Sequence, residues 1–185
     1  MIKDVVKLTR EEISEKPGQL AAKIVYNLMC DNNFDLFFIG NTLGNTLYTV
    51  QLNNKERAIV CFTDESILQS YINRGAIRKG LSNSYGDKIV CVKINICTLN
   101  VILSEYMEDD IDHIDNVDET VRTIIVNPNT KDYFIPLNIE IMSSLIIDSG
   151  DIDIEDIDGR VDAEDLKTLE YDKEEKRFVF SNEVS

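Results

Sequence analysis

The stretch DIDIEDIDGRVDAED, residues 151–165, spaces its carboxylates like the ligands of a calcium loop. Such a loop takes oxygens from positions 1, 3, 5, 7, 9 and 12 and turns sharply at a glycine in position 6. With Gly159 at position 6, Asp156, Asp158, Asp162 and Asp165 fall at positions 3, 5, 9 and 12. Arg160 is admissible at position 7, which uses only a backbone carbonyl, and Val161 supplies an apolar residue at position 8. Position 1, however, is Ile154, which offers no side-chain oxygen, and Asp165 reaches less far than the usual glutamate. These four aspartates are therefore candidate ligands of a weak divalent-cation site, with calcium the ion that fits, and the loop as written lacks its anchor.

A second chemistry is open to NRGAIRKG, residues 73–80, where Arg74, Arg78 and Lys79 stand among glycines. Guanidinium groups and backbone N–H groups together suit a small anionic ligand. The same cations would also complement the negative end of a preceding helix and the acidic half of the chain. Covalent chemistry has little to draw on. The single histidine, His113, lies inside DDIDHIDNVDE, where neighbouring carboxylates favour its charged form over a neutral base or ligand. No Gly-x-Ser-x-Gly, His-Glu-x-x-His or Walker A pattern occurs. Cysteines 30, 61, 91 and 97 form no Cys-x-x-Cys pair and sit in apolar runs such as AIVCFT, as core residues of a reducing compartment do. No catalytic residue is assigned and no resident cofactor is expected.

Charge is the strongest signal. Residues 1–100 hold 12 Lys or Arg against 10 Asp or Glu, a net +2, whereas residues 101–185 hold 7 against 24, a net −17. The acids concentrate in residues 105–119, with eight and no Lys or Arg, and in residues 148–165, with nine and one arginine. A field this one-sided repels nucleic acid and anionic membranes and draws in cationic partners. Glu108, Asp109, Asp110, Asp112, Asp115, Asp151, Asp153 and Glu155 are the candidate contacts for a basic partner protein. Isoleucines 111, 114, 152, 154 and 157 among them would suit docking or would pin each loop to the core. An immunity or regulatory role fits by analogy with inhibitors that present acidic faces. No apolar run approaches the roughly twenty residues of a membrane span. The N-terminus MIKDVVKLTREE lacks the apolar stretch of a signal peptide, so a cytoplasmic protein is expected.

The elements that must carry these residues are short. Thr9 and Glu12 match a capping box, and Leu20, Ala21, Ile24, Val25, Leu28 and Met29 share one helical face. FDLFFIG, LYTVQL and RAIVCF read as an antiparallel β-meander. Thr63 is expected to cap a helix whose Ile67, Leu68, Tyr71 and Ile72 face inward, with Gly75 closing it in a left-handed conformation. GAIRKGLSNSYGD reads as a loop, and KIVCVKINI as a strand with Val90, Val92, Ile94 and Ile96 on one face. Leu99, Ile102, Leu103, Tyr106 and Met107 take helical spacing. VRTIIV and YFIP flank a turn at NPNTKD, with Pro128 at its second position. Asn138 is placed as the N-cap of a helix in NIEIMSSLI. LKTLEYDKEEKRFVF reads as a hairpin around DKEEK. The sum is an α+β fold, a mixed and largely antiparallel sheet with short helices packed on it. Residues 1–147 are expected to form the main domain, and 148–185 an acidic extension ending in the hairpin.

In this order of elements, LAAKIVYNL precedes a meander ending in AIVCFTDESILQSYI, followed by KIVCVKINICTLNVIL and TIIVNPNTKDYFIP. The chain thereby resembles the N-terminal domain family of the bacterial SseB proteins over about residues 15–147. The marks are a strand ending in Phe62-Thr63 before a capped helix with Asp64 and Glu65, and a strand ending in Asn127-Pro128. The resemblance implies a compact cytoplasmic α+β domain without an established reaction. The acidic run at 108–119 and the chain beyond 147 depart from it.

Overall fold

The computed structural model describes residues 35–41, 47–52, 57–95, 97–99, 101–102, 121–128, 135–138 and 161–181. In chain order they form β1 (Asp35–Gly40), β2 (Thr49–Gln51), β3 (Arg57–Phe62), α1 (Glu65–Ile72), α2 (Gly75–Tyr85), β4 (Lys88–Asn95), β5 (Val121–Val126) and β6 (Ile135–Asn138). A 3-10 turn (Ala163–Asp165) then leads into β7 (Leu166–Asp172) and β8 (Arg177–Phe180). The expected helix over 20–29 and the helix after Asn138 lie outside the described residues, and Asn138 itself is the last residue of β6.

These eight strands belong to one sheet in the order β6-β5-β3-β1-β4-β7-β8, with β2 also paired to β3. Every pairing among them is antiparallel except β3 with β5. The fold is thus α+β with a mixed, largely antiparallel sheet. The meander has one interruption. β1 pairs with the C-terminal end of β3 (Phe38 opposite Cys61) and β2 with its N-terminal end (Val50 opposite Ala58), on the flank opposite β5. The boundary expected after residue 147 falls outside the described residues. The hairpin beyond it is part of the same sheet, with β7 paired to β4 from Lys88–Glu170 to Val92–Leu166.

The burial of the central strands explains their composition. RAIVCF buries five of its six residues, and Ile89, Val90, Cys91, Val92 and Ile94 of β4 are all buried. Both faces of the sheet centre are covered, so β-branched and apolar residues follow one another without the polar alternation of a solvated face. Helices α1 and α2 lie on the face that carries Ile39, Val60, Phe62, Ile89, Cys91 and Leu169. The residues placed on one face of β4, Val90, Val92 and Ile94, sit on the other, across from Phe38 and Leu36.

Helix α1 buries Leu68, Tyr71 and Ile72 and half-buries Ile67, as its spacing requires. Leu68 and Ile72 are completely enclosed, so truncating either to alanine costs about 2–5 kcal/mol. Its cap is Asp64 rather than Thr63. Asp64 Oδ1 accepts the Ser66 N–H at 2.7 Å, one residue further along than expected, because Thr63 is engaged elsewhere. Gly75 does not close α1 in a left-handed turn; Asn73 ends the helix with φ near −85°, and Gly75 begins α2. GAIRKGLSNSY is a helix and not a loop. Ile77, Leu81 and Tyr85 repeat every four residues, and Leu81 is fully buried. That anchoring outweighs the two helical glycines, each a cost of about 1 kcal/mol against alanine. The left-handed residue is Gly86, φ 77°, whose N–H donates to the Ser82 carbonyl at 2.9 Å.

Candidate functional site

The acid-rich candidates Glu108, Asp109, Asp110, Asp112, Asp115, Asp151, Asp153 and Glu155 lie outside the described residues, as do Asp156, Asp158, His113 and Cys30. The other two loop aspartates are placed. Asp162 is exposed ahead of the 3-10 turn, and Asp165 ends the turn with its carboxylate 3.1 Å from the Lys93 ammonium. The hydrogen bond and charge of Asp165 hold the Lys93 pKa above its ordinary value. A carboxylate already neutralised by lysine has less charge to offer a divalent ion. Asp35, Asn95, Thr98 and these three residues line a cleft of about 270 Å³. Among the described residues no three His, Cys, Asp or Glu side chains gather to hold a metal.

Arg74, Arg78 and Lys79 stand on helix, not on a glycine cradle. Arg74 is the N-cap residue of α2, and Arg78 and Lys79 follow one turn later. The Arg78 guanidinium donates to the backbone carbonyl of Lys176 in the turn between β7 and β8. This contact draws Lys173, Lys176 and Arg177 toward the cluster, an addition that sequence reasoning misses. The available signal is the basic content of DKEEKR, which on its own reads only as a hairpin turn. That turn is built by Asp172, whose carboxylate accepts the N–H groups of Glu174 at 2.8 Å and Glu175 at 3.1 Å.

Asn73 fixes the same region. Its side-chain amide donates to the Phe178 carbonyl at 2.9 Å and accepts the Phe178 N–H at 2.7 Å. Both backbone groups of an edge-strand residue are thereby paired by one side chain, as a neighbouring strand would pair them. Between α1 and this edge runs a groove of about 380 Å³, lined by Ser66, Gln69, Ser70, Asn73, Arg74 and Arg177. The Ser66 hydroxyl donates to the cap residue Asp64, so it belongs to the helix start. The groove offers cations and neutral hydrogen-bonding groups, which suits reversible binding of oxyanions.

At the C-terminal end of β3 the two marks of the sequence resemblance meet. Asn127 is fully buried with φ 50°, its Oδ1 accepts the Thr63 N–H at 3.0 Å, and its Nδ2 donates to Thr63 Oγ1 at 2.9 Å. Its own N–H donates to the Cys61 carbonyl at 2.8 Å. One side chain thus ties the ends of the parallel strands β3 and β5 and satisfies the chain entering α1.

The described thiols are poor nucleophiles. Burial pushes Cys61 far up and Cys91 to about 12, the latter helped by the Glu65 charge, and it also raises half-buried Cys97. Burial likewise raises Tyr48 and Tyr71. The Tyr71 ring packs on Phe62 at 5.1 Å between centroids, so this pair belongs to the core. Comparison of the chain with protein-family models, curated proteins and solved structures found no match.

Proposed function

We propose that this chain is a non-enzymatic, SseB-like protein-interaction domain of the bacterial cytoplasm whose acidic second half engages a basic partner protein, in an immunity or regulatory role. The observation that carries the reading is the net −17 of residues 101–185 against +2 for residues 1–100. Self-repulsion on that scale weakens a folded state unless cations offset it. The described lysines offset little of it. Lys93 and Lys88 each meet one acid of the second half, Asp165 and Glu170, while Lys167 of that half turns to Glu65 of the first. The excess of carboxylates is left to solvent ions or a partner. No described helix is long and apolar enough to cross a membrane.

The test is capture of the full chain, with chemical cross-linking, from the cells that make it. A basic protein is expected, cross-linked to residues 105–119 and 148–165, with affinity falling as salt rises from about 0.05 to 0.5 M. Neutralising Asp109, Asp110 and Asp112 together with Asp151, Asp153 and Glu155 should release it. Salt-independent capture, or cross-links confined to residues 35–100, would overturn the reading.

A further inference from the structure

The chain enters β7 through an acidic corner. The β4–β7 register runs from Lys88–Glu170 to Val92–Leu166, and one step further it sets Asp165 opposite Lys93. On the other flank of β4, Phe37 stands opposite Lys93 and Asp35 opposite Asn95, so Asp35 is the diagonal neighbour of Lys93 on the same face. Strand geometry thus brings a carboxylate to Lys93 from each side, one from the first described strand and one from the approach to the seventh.

The lysine serves more acids than the one it touches. Its ammonium lies 3.1 Å from the Asp165 carboxylate, and Asp35 and Asp162 line the same cleft of about 270 Å³, where Lys93 is the only cation among the described residues. Asp165 first, and Asp35 and Glu164 after it, hold the Lys93 pKa above its ordinary value. Asp35, Asp162 and Glu164 hold no ion pair of their own among the described residues. Four carboxylates therefore share one ammonium. A single exposed pair contributes little, whereas one cation set among several anions acts as a network. Without it, the carboxylates would repel one another where the chain turns into the sheet.

We propose that Lys93 is a fixed counter-ion, holding the place that a diffusible cation would otherwise take among Asp35, Asp162, Glu164 and Asp165. This accounts for the end of the calcium-like spacing: its last two aspartates, Asp162 and Asp165, share a cleft with a cation that the chain itself supplies. Lys93 is a positioning residue, which docks the 3-10 turn and with it the start of β7. The role does not depend on the acidic half having a partner.

The experiment compares urea midpoints of full-chain variants at about 0.02 M salt, where charges act over about 20 Å. Lys93→Met removes the charge, keeps the aliphatic stem and should lower the midpoint by about 0.5 M, whereas Lys93→Arg should stay within about 0.1 M of the native chain. Lys88→Met breaks a pair with one acid, Glu170, and should lower it by about 0.2 M or less. The deciding readout is the coupling of Lys93 to acids that it does not touch. Asp35→Asn/Glu164→Gln should recover about half or more of the loss in Lys93→Met and leave the midpoint of the native chain within about 0.1 M. Calcium chloride at about 5 mM, against sodium chloride of equal ionic strength, should raise the Lys93→Met midpoint more than the native one. Equal shifts from the acid substitutions in both backgrounds overturn the proposal, as does a native chain that gains as much from calcium as Lys93→Met. Equal losses in Lys93→Met and Lys88→Met overturn it too, in favour of an ordinary surface pair.

Discussion

Replacing Asn127 tests the fold at the point where its parallel strands end. Asn127→Ala removes the acceptor of the Thr63 N–H and the donor to Thr63 Oγ1, two bonds of about 1 kcal/mol each within an enclosed site. It also puts a β-carbon residue without asparagine's tolerance at φ 50°, for about 1 kcal/mol more. The sum is about 3 kcal/mol, a large part of the roughly 5–15 kcal/mol that holds a domain together. At about 2–4 °C per kcal/mol for a chain of this size, the melting temperature should fall by about 6–12 °C. Urea unfolding followed by circular dichroism measures the change in midpoint, and the slope should stay constant. Asn127→Gly keeps the backbone conformation and loses only the side-chain bonds, so it should cost about 2 kcal/mol. Thr63→Val combined with Asn127→Ala should be less than additive by about 1 kcal/mol. Additivity within about 0.3–0.5 kcal/mol would show that the bond from Asn127 Nδ2 to Thr63 Oγ1 contributes nothing. Equal losses in Asn127→Gly and Asn127→Ala would refute the backbone part of the sum.

Two further outcomes follow from the same geometry. Asn73→Ala strands the Phe178 N–H at the sheet edge and leaves its carbonyl only the 3.4 Å bond from Gln69 Nε2, so it should cost about 1–3 kcal/mol and speed hydrogen exchange in β8 above that in β4; uniform exchange would show that the edge does not rely on this amide. The thiols set the alkaline limb of stability. Burial raises Cys91 from 9.0 to about 12, and a group whose folded pKa is raised contributes stability that is complete below pH 9 and lost as pH rises toward 12. Stability should therefore fall above pH 9 with a slope approaching about 1.4 kcal/mol per pH unit per buried thiol. Cys91→Ala should flatten that slope in urea titrations from pH 8 to 11, and an unchanged slope would refute the assignment.

Much of the local structure is legible without coordinates. The apolar spacing of Ile67, Leu68, Tyr71 and Ile72 announces α1, the run in KIVCVKIN announces β4, and the polar turn in DKEEK announces the final hairpin. Helix α2 is hidden because Gly75 and Gly80 weaken the local preference, and only the burial of Leu81 restores it. The cap of α1 is ambiguous by one residue because Thr63 and Asp64 are both good caps. What separates them is the demand of Asn127 on Thr63, 64 residues away.

The chain's own order of residues determined its partition of charge, its scarcity of reactive groups and the period of each element, since these depend on composition and on neighbours within a turn or a strand. Tertiary structure alone decided that β3 and β5 run parallel and that Asn127 locks their ends. It also decided that Asn73 closes the edge at Phe178, 105 residues distant, and that Arg74 and Arg177 share a groove while Arg78 holds the turn beside it. The physical reason is that periodicity and capping are settled among residues a few positions apart. Pairing between distant strands, by contrast, is chosen by which arrangement buries both sheet faces and leaves no enclosed polar group without a bond.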